Sequence, residues 1–286
     1  MVDPLKLILD ISIAVFIGGA LFTAGLEVTV EQVMKPLRDR SLVGRALLAN
    51  VLLAPLIVYG MTVLFPLDRP YMIGTLLYGL ASGAPYTPRL VSVASADVPN
   101  SIGLTMLLTV LTILYMPVVL PVLVPGTEIG LWAIGKPLLL QMFAPLVLGL
   151  LVRGGSERLA RSLWKPANMI VNLSAAIFLV LALVLHRHDL LATAGTGTVS
   201  FAVALTLITF GVGFALGTGG EKGRVTLGLV TTARNIGAAA TIATANFGED
   251  PRVLITIAVC MFVVFALAFP TAKLYFHKRL GVGVGK

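Results

Sequence analysis

The chain has 286 residues, of which 57% are apolar and only 12% charged, with a mean hydropathy of +0.98. A soluble domain of this length carries roughly a quarter charged residues, so a water-facing globule is excluded, and a single cysteine, Cys260, excludes a disulfide framework and a thiolate metal cluster. The formal charge of +8 does not point to nucleic acid, because the cations fall in short connections between apolar runs rather than along one amphipathic face.

Apolar runs close to the ~20 residues that cross about 30 Å of hydrocarbon recur along the whole chain. They predict nine spans, at about 5–26, 43–65, 71–95, 101–124, 131–152, 167–185, 197–217, 225–247 and 252–276. The connections hold the usual helix breakers, among them Phe65-Pro66-Leu67-Asp68-Arg69-Pro70, Val98-Pro99-Asn100, Gly217-Thr218-Gly219-Gly220 and Gly248-Glu249-Asp250-Pro251. The expectation is one membrane domain over 1–286, with no cytosolic appendage and no cleavable signal peptide.

Charge placement gives an orientation. With the N-terminus outside, the cytoplasmic side holds fourteen Lys and Arg, including Lys35, Arg38, Arg40, Arg45, Arg153, Arg158, Arg161 and Lys165. The outer side holds five: Lys6, Arg69, Lys136, Arg187 and Arg252. The positive-inside rule therefore sets the N-terminus out and the C-terminus in, with an odd number of spans. Of the 21 Lys and Arg, two remain, Arg89 and Arg234, and both fall inside spans.

Span three contains Gly79-Leu80-Ala81-Ser82-Gly83-Ala84-Pro85-Tyr86-Thr87-Pro88-Arg89. Two prolines three residues apart remove two helical donors, so a continuous helix is not expected there. Span eight contains Thr231-Thr232-Ala233-Arg234-Asn235 at mid-span, followed by the small residues Gly237 to Ala240. Irregular backbone at membrane depth is tolerated where it lines a cavity or is buried in protein. The two spans run in opposite directions under this topology, the pattern of an inverted-repeat transporter with a midplane site.

In chain order, Ala24-Gly25-Leu26-Glu27-Val28-Thr29, Ala54-Pro55, Ser82-Gly83-Ala84 with Ala94-Ser95-Ala96-Asp97-Val98, and Arg234-Asn235-Ile236-Gly237-Ala238 through Phe247 form a series of segments. The series resembles the bile acid:sodium symporter family, within the larger group that includes bile, arsenite, riboflavin and auxin-efflux-type carriers. The resemblance implies an all-α polytopic membrane protein with two inverted repeats, four spans plus five (about 1–125 and 128–280), and two crossing broken helices. One helix of the family's ten would be missing at the start. It also implies a panel of spans one, five and six that rocks against a core containing the crossing.

The family's sodium sites use an acidic residue four positions before a glutamine-asparagine pair. Here those positions are Val230, Arg234 and Asn235. The family's serine-asparagine pair in the first crossing helix falls on Thr87 and Pro88, and a glutamine of span two on Asn50. Sodium, a hard cation, needs oxygen ligands. A guanidinium has none and stays protonated. The sodium site is therefore expected to be lost, with no cofactor and no metal.

The expected function is secondary transport of a small organic anion, independent of sodium, with Arg234 offering fixed charge to a carboxylate or sulfonate. The candidate substrate-binding residues are Arg234, Asn235, Thr231, Thr232, Thr87, Tyr86, Arg89, Asn50, Thr109 and Thr112. Bland roles compete: Arg89 close enough to its span end to snorkel, Arg234 bonding only to carbonyls of broken helices, and the stripe Ser101, Thr105, Thr109 and Thr112 as helix glue. Two other functions stay open, a sodium-coupled symporter with a rearranged ion site and a non-transporting membrane sensor on a carrier scaffold. Catalysis lacks its parts, since no His-Glu-x-x-His helix and no pair of intramembrane aspartates occurs. The partners expected are the organic anion and the lipid of a bacterial-type inner membrane, not nucleic acid.

Overall fold

The computed structural model describes residues 4–124, 130–185, 187–188, 193 and 195–281. It is all-helical, with no strand among the described residues. In chain order the helices are α1 (Pro4–Glu27), α2 (Val30–Leu37), α3 (Arg40–Leu64), α4 (Arg69–Leu80), α5 (Thr87–Val93), α6 (Val98–Leu123), α7 (Leu131–Gly155), α8 (Glu157–Leu185), α9 (Thr198–Leu216), α10 (Gly220–Thr232), α11 (Ile236–Phe247) and α12 (Pro251–Leu280).

Six helices among the described residues are long and apolar enough to cross a membrane: residues Leu7–Glu27 of α1, and α3, α6, α7, α9 and α12. The expected third and eighth spans are each divided, into α4 with α5 and into α10 with α11. The local sequence accounts for both divisions. After Leu80 the chain turns through Gly83 at φ +79°, a left-handed conformation that a side chain strains. Pro85 and Pro88 then restart the helix at Thr87, where a missing N–H costs nothing. In the second break Ala233 is extended, and Asn235 restarts the helix by accepting the Ala238 amide at 3.1 Å.

Prolines also shape two of the continuous spans. Turns of π-helix occupy Leu48–Leu53, before Pro55, and Leu139–Phe143, before Pro145. A wider turn accommodates a ring that would otherwise strike the preceding carbonyls.

Helix α1 buries Leu9, Ile13, Ile17 and Leu21, spaced four apart, and packs on α7 and α8. At its closest approach the Cα of Gly25 lies against the backbone of α7 near Gly149. Elsewhere α12 packs on α4 and α10 on α9. Large apolar side chains such as Val63, Leu64, Val122, Leu151 and Leu207 face outward, as lipid contact requires and water would penalise.

Helix α12 begins under a cap that also titrates. Asp250 accepts the Arg252 backbone amide at 3.0 Å and the Arg252 side chain at 2.9 and 2.7 Å. Those bonds hold its carboxyl below the usual range. A lowered folded-state value stabilises above the unfolded carboxylate range and is lost as pH falls through the folded value. Asp250→Ala is therefore expected to cost about 1 kcal/mol at neutral pH and to flatten the acid limb of the stability curve. Thermal unfolding of purified protein between neutral and acidic pH measures both, and an unchanged acid limb would refute the assignment.

Candidate functional site

The two breaks meet. The Asn235 backbone amide donates to the Ala81 carbonyl at 2.8 Å, and its side-chain Nδ2 donates to the Gly83 carbonyl at 3.0 Å. Broken backbone exposes carbonyls that have no intrahelical donor, and each break supplies what the other lacks.

Helix α6 supplies the rest. Thr112 Oγ1 takes the Ser82 amide and donates to the Ser82 carbonyl, both at 3.0 Å. Thr109 Oγ1 donates to the Gly83 carbonyl at 2.7 Å. Tyr115 donates its hydroxyl to the Leu80 carbonyl. All four members of the Ser101, Thr105, Thr109 and Thr112 stripe are buried, and two of them satisfy the first break directly.

Arg234 sits at the junction and is 1% exposed. Its Nη1 donates to Ser82 Oγ at 3.0 Å, and Ser82 Oγ in turn donates to the Asn50 carbonyl at 3.3 Å. Nε and Nη2 make no hydrogen bond. Its electrostatic neighbours are Tyr115, Tyr78 and Tyr86, and among the described residues it pairs with no carboxylate. The guanidinium thus bridges elements from the two halves of the chain by a charge-assisted bond.

The remaining candidates divide. Asn50, in the π turn of α3, donates to Thr231 Oγ1 at 3.2 Å and ties α3 to α10. Thr232 donates to the Thr206 carbonyl of α9 at 2.9 Å. Thr87 bonds locally to the Ala84 carbonyl at 2.7 Å. Tyr86 stacks edge-on against Phe265 at 4.8 Å. Arg89 lies outside this cluster on the exposed face of α5, the geometry of the snorkelling alternative. Ser82, read in the sequence as part of a helix-breaking and family-resembling segment and not as a site residue, is the hub of the network. Tyr78 and Tyr115 carried no sequence signal, because a tyrosine in an apolar run reads as packing.

A cavity of about 110 Å³ opens beside the crossing, between α1 and the two breaks. Phe16, Ile17 and Leu21 form its apolar wall, and Tyr86, Asn235 and Gly237 face them. Arg234 stands behind Asn235 and does not reach the cavity wall.

A family model described as the sodium bile acid symporter family matches residues 14–194. The matched stretch includes the first break and ends before the second. The probable sodium/metabolite cotransporter BASS3, chloroplastic, of Arabidopsis thaliana is similar, at 22% identity over 199 residues. That alignment covers 69% of this chain and 46% of the plant protein, so the chain spans less than half of that relative's length.

Proposed function

Because this chain belongs to the sodium bile acid symporter family, and is accordingly a multi-pass membrane transporter rather than an enzyme, we propose that it carries a small organic anion without sodium. The anion binds in the cavity between α1 and the crossing. Nine spans in two inverted repeats, of four and five, hold that cavity near the midplane. The N-terminus lies outside and the C-terminus inside a bacterial-type inner membrane. The panel of α1, α7 and α8 moves against the crossing to alternate access.

One observation supports this reading above the others: Arg234 is buried at the junction of the breaks, with no carboxylate beside it among the described residues. A guanidinium there repels a hard cation and supplies permanently the positive charge that a bound ion would bring. It also ties the breaks together through Ser82, so the crossing needs no ion to close it. The helix start at Asn235–Gly237 lines the cavity and adds the positive end of α11, which favours an anion. The apolar wall of Phe16, Ile17 and Leu21 suits a short hydrocarbon body.

The test is uptake of labelled small carboxylates and sulfonates into proteoliposomes containing the full chain. Uptake is expected to be the same in sodium and in choline buffer. Loss of most uptake on removing sodium would overturn the proposal. It would select the second reading, sodium-coupled transport through a rearranged ion site, which the name of the plant relative favours.

A further inference from the structure

Helix α2 takes no part in the crossing or its cavity. The span in α1 ends at Glu27 and that of α3 begins at Arg40, so the chain between them joins two spans at one membrane surface, and α2, of eight residues, lies there. Its start is fixed locally: Thr29 Oγ1 accepts the Gln32 amide at 3.2 Å, and Gln32 Oε1 accepts the Thr29 amide at 2.9 Å. Its side chains divide into three sectors. Val33 and Pro36 rest on α6 at Gly103, where an added Cβ would lie 2.9 Å from the Pro36 ring and from the Val33 carbonyl. Val30 and Met34, one turn apart, are 62% and 49% exposed. Glu31, Gln32 and Lys35 make up an exposed polar sector.

A helix at a membrane surface with one apolar edge and a cationic flank lies in the interface plane, and draws its hold from both. Val30, Met34 and Arg38 follow one another at i, i+4 and i+8, so a single edge of α2 passes from apolar to cationic at its C-terminal cap. Lys35 and Arg40 flank Arg38, and all three cations are exposed. Of the two acids in the segment, Asp39 gives its carboxylate to the Ser41 and Leu42 amides, both at 3.0 Å, as the cap of α3. The other, Glu31, stands in the first turn of α2, away from the cations. Three cations beside an apolar edge at headgroup level complement a lipid whose acyl chains lie below a negative phosphate.

We propose that α2 is a docking site for anionic phospholipid: Val30 and Met34 enter the edge of the acyl region, and Lys35, Arg38 and Arg40 hold the phosphodiester headgroups. The site has a physical route to the crossing. Helix α2 sits on the backbone of α6 at Gly103, and α6 carries Thr109 and Thr112, which bond the first break. Lipid that seats α2 therefore steadies the helix that holds the crossing together. The inference depends neither on the substrate nor on the independence from sodium.

The experiment is thermal unfolding of the purified full chain in phosphatidylcholine nanodiscs, with phosphatidylglycerol substituted stepwise at constant pH and ionic strength. The wild type is expected to gain several degrees, saturably, with the anionic lipid, and to gain less at high salt. Soluble glycerol phosphate added to the neutral discs should give no gain. Each cation near an anionic surface strengthens binding roughly fivefold. Lys35→Gln/Arg38→Gln/Arg40→Gln is therefore expected to weaken the lipid response about a hundredfold. Arg158→Gln/Lys165→Gln/Lys273→Gln removes the same charge from exposed positions elsewhere and should keep the response. Val30→Ser/Met34→Ser keeps every cation and is expected to move the midpoint to more anionic lipid. A wild type indifferent to phosphatidylglycerol overturns the proposal, as does an undiminished response in either α2 variant. Equal losses in the two charge variants also overturn it, because they mark a general effect of net charge. A gain from soluble glycerol phosphate overturns it as well, since that marks a site for free phosphate. The wild-type titration stands by itself, so a variant that fails to fold does not protect the idea.

Discussion

Exchanging Val230 for glutamate and Arg234 for glutamine together is expected to make the stability of this carrier depend on sodium, while the wild type stays indifferent to it. Family resemblance places an acidic residue at position 230 and a glutamine at 234, four positions apart across the end of α10. The wild-type pair offers sodium no oxygen and sets a positive charge in its place. The double exchange supplies a carboxylate and an amide oxygen beside broken backbone whose carbonyls are the other ligands available. A ligand at ten times its Kd stabilises by about 1.4 kcal/mol, which is readable as a rise in unfolding temperature between choline and sodium buffers.

The single variants sharpen this result. Val230 is buried in an apolar cluster with Leu42, Leu104, Leu108 and Leu227. Val230→Glu alone is expected to pair with Arg234, to destabilise through the lost packing, and to remain indifferent to sodium. Arg234→Gln alone removes the donor to Ser82 and should cost roughly 1.5–3 kcal/mol, the range for a bond to a charged group. A well-folded double variant that ignores sodium, or a wild type that sodium stabilises, would refute the assignment of Arg234 as the built-in cation.

The second large effect is expected at Gly83. Its φ of +79° is costly for any side chain, and an alanine Cβ would run into the backbone and hydroxyl of Thr109. Thr109 cannot withdraw, because it is bonded to the Gly83 and Thr105 carbonyls at 2.7 and 2.8 Å. Backbone strain of about 1–2 kcal/mol and overpacking of about 1–3 kcal/mol act together, so Gly83→Ala is expected to lose several kcal/mol and most folded protein. Gly211→Ala is the control: nothing lies within 4 Å of its Cβ, and a helical glycine replaced by alanine gains up to about 1 kcal/mol. Comparing the fraction of monodisperse protein after heating the two variants reads the difference. Equal behaviour would show that the first break does not need the left-handed turn.

These expectations draw unequally on sequence and structure. The membrane class, the all-helical fold and the positions of both breaks were legible in the chain, because each depends on chemistry within a few residues. Apolar length excludes water. Pro85, Pro88 and Gly83 interrupt a helix through their own backbone. Asn235 caps the helix that follows it. The second break, with Arg234 in it, fell at the middle of an apolar run.

Side-chain direction was not legible. Arg89 and Arg234 look alike in sequence, two arginines inside broken spans, yet one is exposed on α5 and the other buried. Periodicity assigns a face only within a continuous helix, and both arginines stand at or beside a break, where the face is reset. The bond from Arg234 to Ser82 spans 152 positions, and no local pattern encodes it. The sequence by itself determined that this is a membrane carrier scaffold with two interrupted spans. Only the tertiary structure decided that the interruptions touch, that Ser82 joins them, and that Arg234 is buried where they meet. Those contacts arise because backbone groups freed in one half of the chain must find donors and acceptors in the other.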